Sequence, residues 1–486
     1  MSSRTHKRIL LPKFRLTEVC DADDPFAMRV DDALETYYVR PKKHGQGPNE
    51  IAEWARDRFN LYPVVVDSSG APWAEAHVHF LNSLLDEYFP EMTTYAGLAD
   101  DLSAFRSLLE SIDTDWLDFP QQKRKRPTYR FRSHLVNAIK STPVEGKKLA
   151  SVTTASRRIS SVVAFYRALI KEEVLILAHE PWKEGERFID IPDRVGARRV
   201  KKVLTTDLRI NVPKNDDPYT EFINDDGEKL RPLPTMEQDW LVDALMHLKN
   251  TEMTLIFMLA ILTGARIQTA LTLQVRHIKY AQTLSEENEI LLPIGPGTSI
   301  DTKFDKKITL HIPDFFYDKL RTYCISERAL RRRKRAPGGD VDSQYLFLSK
   351  QGNPLYQSKA DLDIFNEGLT RRYPLQGQAV RTFIRERFKP QVEKANKIAS
   401  FGFKFHDLRA TAGMNWMDAQ MKLVSQGVKS LHEACVYVQA RMGHDKWETT
   451  LGYLNYRYNV ATIRKVEAAH ENRIRELTDR AMKGLL

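Results

Sequence analysis

Cysteine is scarce. The 486 residues hold three, Cys20, Cys324 and Cys435, too far apart for metal-ligand spacing. That excludes a disulfide framework and a thiolate zinc site, and it matches a chain kept reduced in the cytosol. Long hydrophobic runs are also missing. Nothing approaches the roughly 20 apolar residues of a membrane span, and the N-terminal MSSRTHKRILLPKFR has no apolar stretch long enough for a signal peptide. The expectation is a soluble protein with no membrane partner. No internal repeat or low-complexity tract appears. What is present is ordinary for a globular chain: 42% hydrophobic and 28% charged residues. The length predicts two or three domains. Lys and Arg total 74 against 64 Asp and Glu, a net charge of +10 that favours a polyanionic partner.

Residues 1–72 are an unassigned N-terminal accessory region or arm, with PKKHGQGPNE reading as a loop. Residues 73–180 carry apolar residues at helical spacing and predict a helical domain. Within it, QQKRKRPTYRFRSHL mixes Lys123, Arg124, Lys125, Arg126, Arg130 and Arg132 with Tyr129 and Phe131, a composition suited to phosphate contact. Arg157 and Arg158 open a last helix whose stripe is Ile159, Val162, Val163, Tyr166 and Ile170. Residues 181–234, rich in proline and charge with NDD twice, read as a linker. A second domain, 235–486, opens with TMEQ as a capping box, Thr235 serving as N-cap. TLIFMLAIL is a buried helix ending at Gly264. EILLPI, KITLHIP and QYLFLS are strands, FFYDKLRTYCISERALRRRKRA is a helix, and further helices follow.

Four segments of this domain carry chemistry. In LTGARIQTALTL, Arg266 follows directly on a core helix, so rigid elements hold its fork, which suits two oxygens of one phosphate. In TSIDTKFDKKITLHIP, Lys303 lies near a hairpin tip where a flexible amine can donate a proton, with Lys306 and Lys307 as rivals. In FKFHDLRATAG, His406 and Arg409 are three apart and share one helical face. In ARMGHDKWETTLGYLNYRY, His444 follows the helix-ending Gly443 and Tyr453 comes nine residues later, with Tyr456 and Tyr458 nearby. Asp301, Asp305 and Asp407 sit beside these candidates and read as scattered surface acids rather than metal ligands.

TGARIQTALTL, TKFDKK, HDLR, MGH and LGY, in that order, resemble the tyrosine recombinase (phage-type integrase) family. That family's pattern is an arginine in a TG-x-R setting, a hairpin lysine, HxLR, a GH pair and a tyrosine nine residues on. The departure is Gln268-Thr269-Ala270, where members often carry an acid. The catalytic resemblance spans about residues 235–460, and 73–180 is similar, more weakly, to the core DNA-binding domain. It implies a mainly α protein: a helical core-binding domain plus an integrase-type α+β catalytic domain with a small antiparallel sheet.

The resemblance also implies roles. Arg266, Arg409 and His444 would grip the phosphate, His406 would accept the phenolic proton and Lys303 would protonate the leaving 5′ oxygen. Tyr453 would form a 3′-phosphotyrosyl link that another strand's 5′ hydroxyl resolves, with no cofactor and no metal. Implied partners are double-stranded DNA, three further copies forming a tetramer on two DNA sites, and accessory recombination proteins. The implied setting is integration or excision of a mobile element, in the cytoplasm on the nucleoid. VATIRKVEAAHENRIRELTDRAM predicts an amphipathic helix carrying Ile463, Val466, Ala469 and Ile474 that docks on a neighbouring protomer or its own domain. The rival readings are a type IB-like topoisomerase, a non-catalytic DNA-binding regulator on the same fold, and a metal-dependent nuclease.

Overall fold

The computed structural model describes residues 5–31, 36–40, 58–85, 87, 91–141, 151–192, 198–210, 222–225, 227–280, 288–362 and 374–458. They fall into two compact units that divide between residues 215 and 216. Both are mainly helical, with small antiparallel strand pairings. No helix among the described residues is long and apolar enough to cross a membrane.

In the first unit β1 (Lys7–Arg15) pairs antiparallel with β5 (Arg58–Val66). Between them in sequence, β2 (Glu18–Val19), β3 (Met28–Asp31) and β4 (Thr36–Arg40) form a separate three-stranded sheet. The run LYPVVV makes β5 nearly continuously buried, as a strand covered on both faces should be. Helices α1 (Ala74–Leu84), α2 (Met92–Ser111), α3 (Pro127–Lys140) and α4 (Val152–Lys171) pack with it. Pro127 takes the first helical position, where its missing N–H costs nothing, and Ser151 caps α4 through Thr154 N at 3.1 Å. The core is aromatic: Tyr62, Phe80, Phe105, Phe131, Phe165 and Tyr166 are fully buried. Along α4, Leu169 takes the inward place, and Ile170, expected on the stripe, faces solvent.

The segment expected as a linker, 181–234, is largely structured. β6 (Glu184–Pro192) and β7 (Arg198–Thr206) form a nine-residue antiparallel ribbon, flanked by Trp182, Leu208 and Ile210, which are buried in the first unit's core. β8 (Ile223–Asp225) and β9 (Glu228–Leu230) form a short hairpin in the second unit. Proline and charge suggested a solvated connector; Phe188, Val200 and Leu204 of the ribbon are exposed, and among the described residues only the short hairpin has an apolar face to bury, through Ile223 and Leu230.

The second unit is organised around α6 (Thr251–Thr263), which is apolar on all sides and consequently surrounded. α5 (Thr235–Leu248) precedes it, with Pro234, not Thr235, at the N-cap and Gln238 Nε2 donating back to Leu233 O. After α6 come α7 (Ile267–Leu271), α8 (Val275–Lys279), the hairpin β10 (Glu289–Ile294) and β11 (Ile308–Pro313), then α9 (Asp314–Ile325) and α10 (Glu327–Arg335). The long helix expected over 315–336 is thus two, because Ser326 leaves the helical conformation and caps α10. QYLFLS is not a strand. Tyr345, Leu346, Phe347 and Leu348 are all buried, without the alternation of a sheet face, and make only isolated bridges at Tyr345 and Leu348.

The rest is α11 (Gln378–Phe383), a π-type turn (Ile384–Phe388), α12 (Lys389–Asn396), α13 (Asp407–Ser425), α14 (Leu431–Met442) and α15, residues 447–458. Phe257 of α6 meets Phe383, Phe388, Phe403 and Phe405 with ring centroids 5.3–6.0 Å apart, pinning the segment before α13 to the central helix. The amphipathic helix expected after Tyr453, from 459 on, lies outside the described residues.

Candidate active site

Five elements of the second unit deliver the six candidate side chains. Gly264 ends α6 in the left-handed conformation, and Arg266 is the extended residue that caps α7. Arg409 lies in the first turn of α13. That turn is fixed by Asp407, whose carboxylate accepts Arg231 N at 3.0 Å and Lys404 N at 2.7 Å. Asp407 is buried, so its reading as a surface acid was mistaken: it is a structural clasp at a helix start. His406 occupies the position just before the same helix, its side chain making no capping bond. Gly443 ends α14 left-handed and places His444 in the interior, where Nδ1 meets Thr450 Oγ1 of α15 at 3.0 Å. Tyr453 projects from α15, fully buried, its ring 5.6 Å from that of His444. Gly413 of α13 makes room for it; a Cβ there would lie 2.5 Å from Tyr453 Cε1. Tyr456 is partly buried and Tyr458 exposed.

These side chains converge on the β8–β9 hairpin. Asp225 Oδ2 accepts Arg409 Nε at 2.8 Å and Tyr453 Oη at 3.1 Å. Asp225 Oδ1 faces Arg266 Nη2 and His444 Nε2, each at 3.6 Å. Arg409 is held further by the carbonyls of Gly264 and Met442, which tie α6, α13 and α14 to one guanidinium. Directly across the hairpin from Asp225 is Glu228. It faces Lys303 Nζ at 3.6 Å and His406 Nδ1 at 3.3 Å. Of the rival lysines, Lys306 reaches Asp445 at 2.6 Å and Gly443 O at 3.3 Å, and Lys307 is exposed. Lys303 stands at a strained tip: Phe304 and Asp305 have φ of 60° and 52°, a region that side-chain-bearing residues rarely adopt. The turn closes because Gly295 lets Lys306 O approach to 2.3 Å from where a Cβ would be.

The electrostatics follow. Burial by itself would raise the Asp225 carboxyl, but Arg409, His444 and Arg266 together hold it far below the usual carboxylate range. Glu228 is lowered to about 2, chiefly by its hydrogen bond to His406, with the Lys303 charge assisting. The Tyr453 phenol moves the other way. Burial and the neighbouring Asp225 charge push it well above its ordinary value, against the opposing pull of Arg409.

The sequence missed Asp225, Glu228, Gly413 and Thr450. A signal for the first two existed: Asp-Gly in INDDGEKL is a hairpin-turn pair between two apolar residues. The cations expected to touch DNA in the first unit are mostly engaged within it. Lys123 and Tyr129 bind Asp207, and Arg126 binds the carbonyls of Pro120 and Glu180. Arg130 donates to Thr114, Arg132 to Leu208 O at 3.0 Å, and Arg157 and Arg158 face the buried Asp101. Arg124 and Lys125 are exposed.

No protein-family model and no curated protein matches the chain. Among solved structures it is similar to a XerH site-specific recombinase bound to a palindromic difH substrate, at 14% identity, covering 79% of this chain and 81% of that one with a TM-score of 0.40. It is also similar to the Tn1549 transposon integrase in complex with circular intermediate DNA, at 14% identity, 78% and 94% coverage and a TM-score of 0.39. Its structural neighbours are thus a site-specific recombinase and a transposon integrase.

Proposed function

We propose that the chain is a tyrosine-type DNA strand transferase whose active centre is built from Arg266, Lys303, His406, Arg409, His444 and Tyr453. One observation carries this. Six side chains drawn from 188 positions of sequence gather on two facing carboxylates of one hairpin. Buried cations around a single anion, with a phenol donating to that same anion, form a cradle for one oxyanion beside one nucleophile.

With a phosphodiester in the cradle, Arg266, Arg409 and His444 stabilise the charge that grows on its non-bridging oxygens. Tyr453 Oη attacks phosphorus and gives its proton to His406, which lies on the same helix turn as Arg409. The bond from phosphorus to the 5′ oxygen breaks, and Lys303 protonates that oxygen. A 3′-phosphotyrosyl link and a free 5′ hydroxyl result. Attack by a 5′ hydroxyl of a second strand reverses the steps and releases Tyr453, so the energy of the first bond is retained in the second. Exchange of strands requires two duplexes, hence assembly of four protomers, with accessory recombination proteins as further partners. Integration or excision of a mobile element is the setting proposed, in the compartment that holds the DNA.

The test is covalent trapping. The purified chain is mixed with a pool of random duplexes and denatured. The expected result is a protease-sensitive protein–DNA adduct that maps to Tyr453 by mass spectrometry and is lost in Tyr453→Phe. Binding without any adduct would mean a regulator, and an adduct surviving Tyr453→Phe would remove the assigned nucleophile. Supercoil relaxation without sequence preference or strand exchange would move the reading to a topoisomerase.

A further inference from the structure

Arginines, a histidine and a tyrosine assembled for a phosphate should face an open cleft. Here they face a carboxylate that belongs to the chain itself. Asp225 presents two oxygens to the two guanidiniums, as a phosphate does. The fit is close but short. Oδ2 is hydrogen-bonded to Arg409 and Tyr453, whereas Oδ1 stands 3.6 Å from both Arg266 and His444. Asp225 Oδ1 and His444 Nε2 are consequently buried without a hydrogen bond. Such a defect marks a cradle cut for a larger group. A tetrahedral phosphate carries oxygens in more directions and can satisfy both sides. Next to it, Glu228 takes up Lys303 and His406, the proton-transfer pair of the reaction.

We propose that the β8–β9 hairpin is a built-in competitor of DNA: Asp225 and Glu228 take the place of the scissile phosphate, and the hairpin leaves when a duplex docks. The proposal rests on the strand-transferase reading and deepens it. While the hairpin is seated, Tyr453 Oη is committed to Asp225 and the cations are neutralised. The anchoring suits a movable part. Downstream the chain is fastened by Arg231, whose N–H reaches Asp407 at 3.0 Å and whose guanidinium binds Glu237, and by Leu233 N, which donates to Thr411 Oγ1 at 2.9 Å. The hairpin itself buries only Ile223 and Leu230 as apolar anchors, against Met414, Leu454 and their neighbours on α13, α14 and α15. A duplex, by contrast, offers many phosphate contacts. The competing idea is that Asp225 stays in place permanently, doing the work of the acid missing at Gln268-Thr269-Ala270.

Two measurements on the full chain separate these. The first is duplex affinity in a Tyr453→Phe background, where no chemistry occurs. Competition predicts that adding Asp225→Asn and Glu228→Gln tightens binding about tenfold, as expected if the seated state leaves about a tenth of molecules open. Glu327→Gln, a charge loss on α10 away from the hairpin, should change it little. The second is hydrogen exchange of residues 223–230 in the chain without the carboxylate substitutions. Competition predicts faster exchange when the duplex is bound. Equal or weaker affinity of the neutralised variant, or slower exchange of the hairpin on DNA, overturns the proposal and favours permanent positioning. A chain that behaves as a competitor here yet forms no Tyr453 adduct would sink the strand-transferase reading alone.

Discussion

Two buried aspartates, one in each unit, meet arginines and respond in opposite ways. Asp101 on α2 accepts Arg157 at 2.7 Å and Ser161 at 2.9 Å, with Arg158 at 3.7 Å, yet burial dominates and its pKa rises. Asp225 is just as buried, and its pKa falls. The difference lies in the cations. The Arg157 side chain is 52% exposed, so water screens it; Arg409 is 5% exposed and Arg266 11%. Cations at a surface can be tethered by an aspartate at little consequence. Cations removed from water need an anion, and a protein that gathers two guanidiniums and an imidazole around one point has made an anion site before any ligand arrives. Sequence density points the wrong way: the basic run at 123–132 is crowded and largely engaged inside its own unit, while the separated Arg266, Arg409 and His444 form the charged centre.

The sharpest break of the comparison is removal of one arginine from each side. Arg409→Ala removes the guanidinium hydrogen-bonded to the buried Asp225, leaving Arg266 and His444 at 3.6 Å, and should cost up to about 3–5 kcal/mol of stability, the usual cost of breaking a buried ion pair. Adduct formation should fall by at least about 10²–10³-fold. Adding Asp225→Asn should restore much of the stability and none of the activity. Denaturant midpoints and trapping rates give both numbers. Arg157→Ala should cost no more than about 1 kcal/mol, because its half-exposed guanidinium is screened and Ser161 remains on Asp101. Equal losses at the two sites would refute the contrast.

A second substitution acts through shape. Gly413→Ala puts a methyl 2.5 Å from the Tyr453 ring, so α13 or α15 must shift. Overpacking of this kind costs about 1–3 kcal/mol, and a displaced phenol should slow adduct formation well beyond what that loss of stability explains. Wild-type kinetics in the alanine variant would mean that α15 adjusts freely and Tyr453 is not held by α13.

Acid should also divide the units. Asp225 and Glu228 have folded pKa values below their ordinary ones, so the stability they supply is complete above about pH 4.5 and drains away as pH falls toward 2. Asp101 is raised, so it gains from protonation in that interval and opposes unfolding. Hydrogen exchange between pH 5 and 3 should show the β8–β9 hairpin loosening before α2 and α4, while burial raises the Asp407 carboxyl at the start of α13, so that helix gains from protonation as α2 does. Asp225→Asn with Glu228→Gln should flatten the second unit's response.

What could be read from the chain, and what could not, has a physical basis. Arg266, Lys303, His406, Arg409, His444 and Tyr453 stand in short patterns whose local structure is self-determined: a left-handed glycine after a helix, a hairpin tip, one helical turn. α6 was legible because an all-apolar run of that length has few alternatives. Asp225 was not, since its role depends on partners 41 to 228 positions away and its surroundings in sequence are those of a solvated turn. The QYLFLS segment failed for a related reason. Its burial on every side comes from neighbours distant in sequence, and periodicity carries no information about them.

The smallest effect tests the far side of the comparison. Arg124 and Lys125 are exposed on the short turn before α3, so replacing both with alanine should leave stability within about 0.5 kcal/mol. If this surface faces a duplex, each lost phosphate contact weakens binding alike on all sequences and lowers the slope of log affinity against log salt by about one. Arg132→Ala should do the reverse. Its Nε holds Leu208 O at 3.0 Å, so stability drops while the salt slope stays put. Should Arg132 carry the slope and Arg124 and Lys125 none of it, the guanidinium bound to Leu208 must turn outward on DNA. The first unit's cations would then be held in reserve in the same sense as those around Asp225.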